Sequence, residues 1–222
     1  MGTPPMSIAY PNSVQERLFD LGDVPAHRVL TNPSPGTATI DDLVKAVQSG
    51  QKPVELVDGT LVEKAMGWIE SLLATVLIQW MRNYLDKNRL GVVTGSDGFT
   101  RLFGDTVRAP DLAFVAWDRL AGRELRHEPI PSLVPNLVVE VLSPSNTYGE
   151  MSRKRREYFQ AGVQCVWMVE PSQRTITVYI SALSWHVYTE GEDAVADHVL
   201  PGWKVSVREL FAKLDELSEP PQ

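Results

Sequence analysis

A strand, a helix and a second strand follow one another between residues 135 and 171. "PNLVVEVL" is an apolar run that predicts a buried strand, "SNTYGEMSRKRREYFQAG" predicts a helix that ends at Gly162, and "VQCVWMVEP" predicts a second buried strand. A helix that joins two neighbouring strands carries the chain back across the sheet, so the two strands run parallel. This unit therefore predicts an α/β protein with a crossover helix.

The segments on either side predict antiparallel additions to that unit. "VELVDGTLVEK" contains two β-rich runs around Asp58-Gly59, a pair that favours a tight hairpin turn. "RTITVYI" alternates apolar and polar residues and pairs as a hairpin with the strand before it. Residues 68 to 87 predict a long helix whose apolar residues surround nearly the whole cylinder, which indicates a central, well-covered helix. The predicted fold is a mixed sheet flanked by helices, with extra antiparallel strands.

The length and composition suit one large domain with short extensions. The chain has 222 residues, of which 43% are hydrophobic and 22% are charged. We predict an N-terminal arm over residues 1–50 with a short helix capped by Thr39, a domain over residues 51–215, and a tail over residues 216–222. The single cysteine, Cys165, excludes an internal disulfide and, within its apolar run, indicates a buried structural thiol.

No segment of the sequence indicates export or membrane insertion. The first residues, "MGTPPMSIAYPNS", lack the basic and apolar regions of a secretory signal. The most apolar region, "WIESLLATVLIQWM", is too short and too polar to span a bilayer. With one cysteine and no signal, we predict a cytoplasmic protein that does not contact membranes.

Glu140 lies in the middle of the apolar strand "LVVEVL", where an ionised carboxylate is costly unless it is paired, hydrogen-bonded or bound to a metal ion. A solvated groove or an arginine partner would explain it. A second acid, Asp111, follows Pro110 at the start of the apolar run "DLAFVAW". Asp111 is either a turn residue or the partner of Glu140 on an adjacent strand, and two such carboxylates suit a hard divalent cation.

The helix after Glu140 carries four consecutive cations, which are Arg153, Lys154, Arg155 and Arg156. Residues four apart share a helix face, so one or two of these side chains lean toward the sheet while the others face water. Lys154 shares its face with Tyr158.

The formal net charge of −7 argues against a protein that binds nucleic acid through a general excess of positive charge. Contact with nucleic acid would then need a local basic patch, or metal ions that neutralise the acids. The four histidines have no spacing suited to zinc, and no glycine-rich phosphate loop is present.

Three segments together resemble a known bacterial family. "VRAPDLAFVAWDRL", "LVVEVLSPSN" and "EMSRKRREYFQAGVQCVWMVEP" are similar to the Uma-type restriction endonucleases, which belong to the PD-(D/E)xK nuclease superfamily. The resemblance extends from residue 54 to Pro171, and "LPGWKVSVRELF" is similar to the usual C-terminal part. It implies a restriction-endonuclease-like fold and hydrolysis of DNA phosphodiester bonds.

The resemblance also implies roles for particular residues. Asp111 corresponds to the motif aspartate and Glu140 to the motif glutamate, while the position of the motif lysine is occupied by Leu142. The family places its lysine on the following helix, which implies that Lys154 orients or deprotonates the attacking water, or stabilises the developing negative charge as a cation. Many members have a histidine near the start of the long helix, where this chain has Glu70.

A divalent ion and DNA are the implied cofactor and partner. Asp111, Glu140, the backbone carbonyl of Val141 and Glu70 would bind Mg²⁺, with Mn²⁺ as an alternative. Arg153, Arg155 and Arg156 are candidates for contacts with DNA phosphates, and a homodimer is expected. Two alternatives are a catalytically silent module of the same fold, with a binding or regulatory role, and a self-associating interaction protein.

Overall fold

The computed structural model describes residues 14–50, 53–65, 67–120, 122 and 130–217. These residues form five α-helices, which are α1 (Val14–Asp20), α2 (Ile40–Gln48), α3 (Trp68–Asn88), α4 (Tyr148–Ala161) and α5 (Val207–Asp215). The division into an arm, a domain and a tail stays a prediction, and residues 1–13 of the arm and 218–222 of the tail lie outside the described part.

A mixed sheet of six strands forms the centre of the described fold. Its strands in spatial order are β10 (Ser184–Tyr188), β9 (Thr175–Ser181), β8 (Cys165–Glu170), β7 (Leu137–Val141), β6 (Leu112–Ala116) and β3 (Gly91–Gly95). Strands β7 and β8 are parallel and all other neighbours are antiparallel. The predicted mixed α/β sheet with a crossover helix is therefore confirmed.

Helix α4 makes this crossover, and both of its ends carry sequence signals. The hydroxyl of Thr147 accepts a hydrogen bond from the backbone N–H of Glu150, which caps the first turn. Gly162 ends the helix with φ of 101°, a left-handed conformation that glycine adopts without strain. The chain then enters β8 directly.

The two faces of the central sheet differ in character. One face packs against α3 and α5 in the main apolar core, in which the rings of Trp167 and Trp203 stack with centroids 4.9 Å apart. The other face lies under α4, where Val138 and Val166 meet Tyr158 in a smaller cluster. Side chains alternate along each strand, so β7 directs Val139 to the first face and Val138 to the second.

The prediction that α3 is covered all round was wrong. The helix buries one stripe against the sheet, but Trp68 and Ile69 in its first turn are exposed, Trp68 by 66%. Because most residues of this segment are apolar, the sequence did not show that only one side of the helix is buried.

A second, four-stranded sheet stands beside the central one in the described residues. Its strands in spatial order are β2 (Thr60–Glu63), β1 (Val54–Val57), β5 (Thr106–Arg108) and β4 (Thr100–Phe103). The predicted hairpin around Asp58-Gly59 joins β1 to β2, and both turn residues have positive φ. Strand β5 was not predicted, because three residues are too short for a periodic signal. Only the bend of residues 109–111 separates β5 from β6.

Two further segments complete the fold. Helix α2 begins at the predicted cap Thr39 and packs against β1. Strands β11 (Asp193–Val195) and β12 (Lys204–Ser206) pair with each other before α5.

Arg28, near the N-terminus of the described chain, forms a buried ion pair with Glu150 on α4 at 2.7 Å. None of the helices in the described part of the chain combines the length and the apolar character needed to cross a membrane.

Candidate active site

Asp111 and Glu140 lie on neighbouring strands, as the sequence predicts. Leu112 pairs with Val139 in the antiparallel register of β6 and β7, so one further step along the register sets Asp111 opposite Glu140. Opposed residues of an antiparallel pair direct their side chains to the same face. The Asp111 carboxylate also accepts a hydrogen bond from the backbone N–H of Val141 at 2.7 Å, which ties the start of β6 to the end of β7.

Glu140 is buried beneath α4, with 3% of its surface exposed. One of its carboxylate oxygens, Oε1, accepts a hydrogen bond from the hydroxyl of Tyr158 at 2.5 Å and lies 3.3 Å from the Lys154 ammonium. Burial raises the pKa of Glu140; Lys154 and Lys64 oppose this shift, and the nearby negative charge of Asp111 adds to it.

Lys154 projects from α4 between two carboxylates. Its ammonium lies 3.0 Å from Oε1 of Glu55 and 3.3 Å from Oε1 of Glu140, and only 2% of the residue is exposed. Burial alone would lower the pKa of Lys154, but the attraction of Glu140 and Glu55 outweighs burial and raises it. Lys154 is therefore a permanent cation at neutral pH.

Glu55 belongs to this cluster and was missed from the sequence. It lies in the middle of β1, where all four residues are buried. Its carboxylate accepts hydrogen bonds from the backbone N–H of Ala109 at 3.1 Å and from Arg108 at 2.8 Å. Burial would raise the pKa of Glu55, but Lys154 and the other nearby cations outweigh it and bring the pKa down to about 2. The signal was the one used for Glu140: an acid inside an apolar strand, here in "VELV".

Lys64 is a second buried lysine that was not singled out from the sequence. It follows β2 directly, and its ammonium lies 2.7 Å from Oδ1 of Asp111. It also donates to the backbone carbonyl of Ala109 at 2.5 Å. The Ala109 residue is thus held at its N–H by Glu55 and at its carbonyl by Lys64, which fixes the bend that presents Asp111.

Two arginines support the cluster from behind. Arg108 donates to Glu55 and, through Nε at 2.8 Å, to Glu157 on α4. Arg153 bonds to Glu157 at 2.7 Å, to Asp58 and to the backbone carbonyl of Asp20. Arg153, predicted as a DNA contact, is therefore committed to partners within the protein.

Glu70 reaches the site from a different direction. It lies in the first turn of α3 and lines a groove of about 290 Å³ together with Asp111 and the turn at residues 95–98. The Asp111 side chain is 14% exposed, whereas Glu140 and Lys154 lie behind it. Asp111 is thus the point where the buried cluster meets the groove.

The oxygen ligands present suit a hard divalent cation by type. Asp111 and Glu140 supply carboxylate oxygens from adjacent strands, and Mg²⁺ sites in proteins commonly use one or two carboxylates with waters and phosphate oxygens in the remaining positions. The described residues contain no group of three or more His, Cys, Asp or Glu side chains positioned to hold a metal ion. In this structure the two acids are instead partnered by Lys64 and Lys154.

Of the other two predicted DNA contacts, Arg155 leans over strand β9 and Arg156 faces solvent. The guanidinium of Arg155 lies 4.6 Å from the ring centre of Tyr179 and lines a second groove of about 350 Å³, which Leu142 also lines. Arg156 is exposed and donates to Ser152 at 3.1 Å. Both side chains are closer to solvent than Lys154.

Two comparisons with known proteins bear on the family and the fold of the chain. Residues 41–208 match the family model Uma2, described as "putative restriction endonuclease". Among solved structures, the chain is similar to a protein from Anabaena variabilis described as "a putative nuclease belonging to DUF820", with 18% identity, a TM-score of 0.68, and coverage of 79% of this chain and 98% of that one. No curated protein matches the chain.

The predicted restriction-endonuclease-like fold is confirmed by the structural likeness, which at this identity shows the fold alone. The predicted family is confirmed by the sequence match, which includes Glu55, Lys64, Asp111, Glu140 and Lys154. Because this match spans well over half of the 222 residues, the protein belongs to the Uma2 family of putative restriction endonucleases.

Proposed function

We propose that this protein is a metal-dependent endonuclease that hydrolyses DNA phosphodiester bonds. Its family membership supports a nuclease, a hydrolase that acts on nucleic acid. The observation that carries the proposal is the contact of the Lys154 ammonium with the buried Glu140 carboxylate, which lies opposite Asp111 in the register of β6 and β7. Burial raises the pKa of Glu140, and the two carboxylates beside Lys154 raise the pKa of that lysine; such perturbed groups are typical of catalytic sites.

Asp111, Glu140 and the backbone carbonyl of Val141 would hold Mg²⁺ or Mn²⁺, and Glu70 would join them as a further ligand only after a movement of its side chain, since three acids of the described residues are not gathered in this structure. Bound there, the ion lowers the pKa of a water molecule and shields the scissile phosphate. Tyr158 holds the Glu140 carboxylate by its hydroxyl, so that this ligand keeps one orientation.

Lys154 acts through its positive charge. Its raised pKa keeps the ammonium protonated, so it is unsuited to remove a proton from the attacking water. A fixed ammonium instead stabilises the negative charge that develops on the phosphate oxygens in the transition state. Of the actions that the resemblance left open for this lysine, removal of a proton from the water is the one that its raised pKa disfavours.

DNA would approach along the groove that exposes Asp111, and Arg155 and Arg156 would contact phosphates beyond it. We leave Arg153 out of this role, because its guanidinium bonds to Glu157 and Asp58. A cytoplasmic location and a homodimeric state stay predictions. Light scattering of the purified protein tests the dimer.

One observation favours the silent-module alternative. The described residues that line the groove include three acids, Glu70, Asp97 and Asp111, and no lysine or arginine. Such a groove repels phosphates unless cations occupy it. A silent module would therefore leave DNA intact in the presence of Mg²⁺ and Mn²⁺.

The test is a cleavage assay on plasmid and single-stranded DNA with Mg²⁺, Mn²⁺ or a chelator. The variants are Glu140→Gln and, as a matched control, Glu190→Gln, a partly exposed glutamate that pairs with Arg174. We expect Glu140→Gln to lower the cleavage rate at least about 100-fold, and Glu190→Gln to leave it unchanged. Cleavage by both variants at the wild-type rate, or by no protein at all, contradicts the proposal.

A further inference from the structure

We propose that Lys64 is a built-in counter-ion that occupies the place of a divalent cation beside Asp111, so that metal binding requires the Lys64 ammonium to leave. This inference rests on the proposed metal site. It assigns to Lys64 a positioning role: the ammonium holds the acidic site in shape without metal and sets the affinity for the ion.

The Lys64 ammonium contacts oxygen atoms of the kinds that bind divalent metal ions in proteins. It lies 2.7 Å from a carboxylate oxygen of Asp111 and 2.5 Å from the backbone carbonyl oxygen of Ala109. Carboxylate and backbone carbonyl oxygens are the ligands that hard divalent cations take in proteins. The side chain is only 3% exposed, so the ammonium depends on these oxygens rather than on water.

The charges of the cluster indicate an exchange rather than an addition. Three carboxylates, those of Glu55, Asp111 and Glu140, face two ammonium groups, those of Lys64 and Lys154. Arg108 also bonds to Glu55, but Glu157 balances its charge. A divalent ion added to all five groups would leave one excess positive charge in a buried site, which is costly. If the Lys64 ammonium leaves, the ion and Lys154 together balance the three carboxylates.

The Lys64 ammonium could leave Asp111 by rotation of the side chain while the backbone stays in place. The backbone N–H of Lys64 donates to the carbonyl of Pro53 at 2.8 Å, so the backbone is anchored at the end of β2. The side chain has four rotatable bonds, and the oxygen that it contacts belongs to Asp111, which lines the open groove. A rotation toward that groove moves the ammonium into water and leaves the carboxylate oxygen free.

The test compares Lys64→Met with a control, Lys45→Met, at a lysine whose side chain is 75% exposed. Methionine keeps an unbranched side chain that is one atom shorter than that of lysine, and it removes the charge. Mn²⁺ is titrated calorimetrically into each full-length protein without DNA. We expect Lys64→Met to bind Mn²⁺ at least about 10-fold more tightly than wild type, because the ion no longer competes with an ammonium, and Lys45→Met to match wild type.

Equal or weaker Mn²⁺ binding by Lys64→Met, or no binding by any of the proteins, overturns the proposal. A variant that folds only when Mn²⁺ is present supports it, since the ion then replaces the missing charge; Lys64→Gln serves as a second variant for that measurement. If neither variant folds even with Mn²⁺, the ion cannot substitute for the ammonium and the proposal is overturned.

The outcome is separable from that of the nuclease proposal. Tighter Mn²⁺ binding by Lys64→Met without DNA cleavage by wild type would sustain the exchange and contradict the nuclease. If the wild type cleaves DNA in a metal-dependent manner and Lys64→Met binds Mn²⁺ with the same affinity as wild type, the nuclease proposal is supported and the exchange is contradicted.

Discussion

Replacing Glu55 by glutamine should destabilise the protein in a pH-dependent manner. The pKa of Glu55 falls from an ordinary 4.5 to about 2 in the folded state, because Lys154, Arg108 and Lys64 together outweigh the effect of burial. A tenfold change in an acid's dissociation constant corresponds to about 1.4 kcal/mol, so ionised Glu55 contributes about 3 kcal/mol to the free energy of unfolding near pH 7. Glutamine keeps an oxygen for the N–H of Ala109 but removes the charge.

The direction in which the stability difference changes with pH follows from proton linkage. A carboxyl whose pKa is lowered on folding stabilises the protein above its unfolded pKa, and this contribution is lost as the pH falls toward the folded pKa. For Glu55 the loss runs from about pH 4.5 to about pH 2. The difference between wild type and Glu55→Gln should therefore fall from about 3 kcal/mol near pH 7 to about 2 kcal/mol near pH 3.5. Relief of the repulsion between Glu55 and Glu140 reduces the difference, but Glu55 acts on Glu140 less strongly than Lys154 does.

Urea unfolding at each pH, with the slope checked to be constant, measures this difference. The control is Asp86→Asn, which breaks an exposed pair with Arg82 on α3 and should cost less than about 0.5 kcal/mol at every pH. A cost for Glu55→Gln below about 1 kcal/mol near pH 7, or one that does not change with pH, would refute the reasoning.

Two further predictions concern single buried groups. Tyr158→Phe removes the hydroxyl that donates to Glu140 and should lower the free energy of unfolding, measured in urea, by about 1.5–3 kcal/mol. The control Tyr148→Phe, at a residue that is 85% exposed, should leave the free energy of unfolding almost unchanged. Equal losses for the two variants would contradict the buried hydrogen bond. Burial raises the pKa of the Cys165 thiol to about 12, which leaves little of the reactive thiolate near pH 8. Iodoacetamide should therefore label the folded protein at least about 1000-fold more slowly than the urea-unfolded protein. Rapid labelling of the folded protein would contradict this burial.

The parts of the fold that the sequence predicted well are those with local signals. The crossover helix was found because Gly162 marks its end and apolar strands flank it. The hairpin was found because Asp58-Gly59 is a strong turn signal. The three residues of β5 have no such signal, and its pairing with β1 brings Ala109 to Glu55. That pairing is a tertiary contact that no local pattern contains.

The same limit explains which site residues were found. Glu140 and Asp111 are odd residues within or beside apolar strands, so each draws attention by itself. Glu55 has the same signature, but "VELVDG" was interpreted as half of a hairpin, and the acid within it was not weighed. Lys64 follows a strand end, where a lysine is ordinary. Its burial comes from Asp111 and Ala109, which lie more than forty residues away in the chain.

The buried charges are better explained by chemistry than by stability. A buried ion pair contributes little more than well-packed apolar residues of the same volume would, and often less. The face of the sheet under α3 and α5 is apolar and includes the stacked Trp167 and Trp203, so the fold has a core that is independent of the charged cluster. Strand β7 serves both faces because its side chains alternate: Val139 and Val141 enter the apolar core while Glu140 faces α4. A carboxylate in this strand therefore leaves the main core intact, and its charge meets Lys154 and Tyr158 on the other face of the sheet.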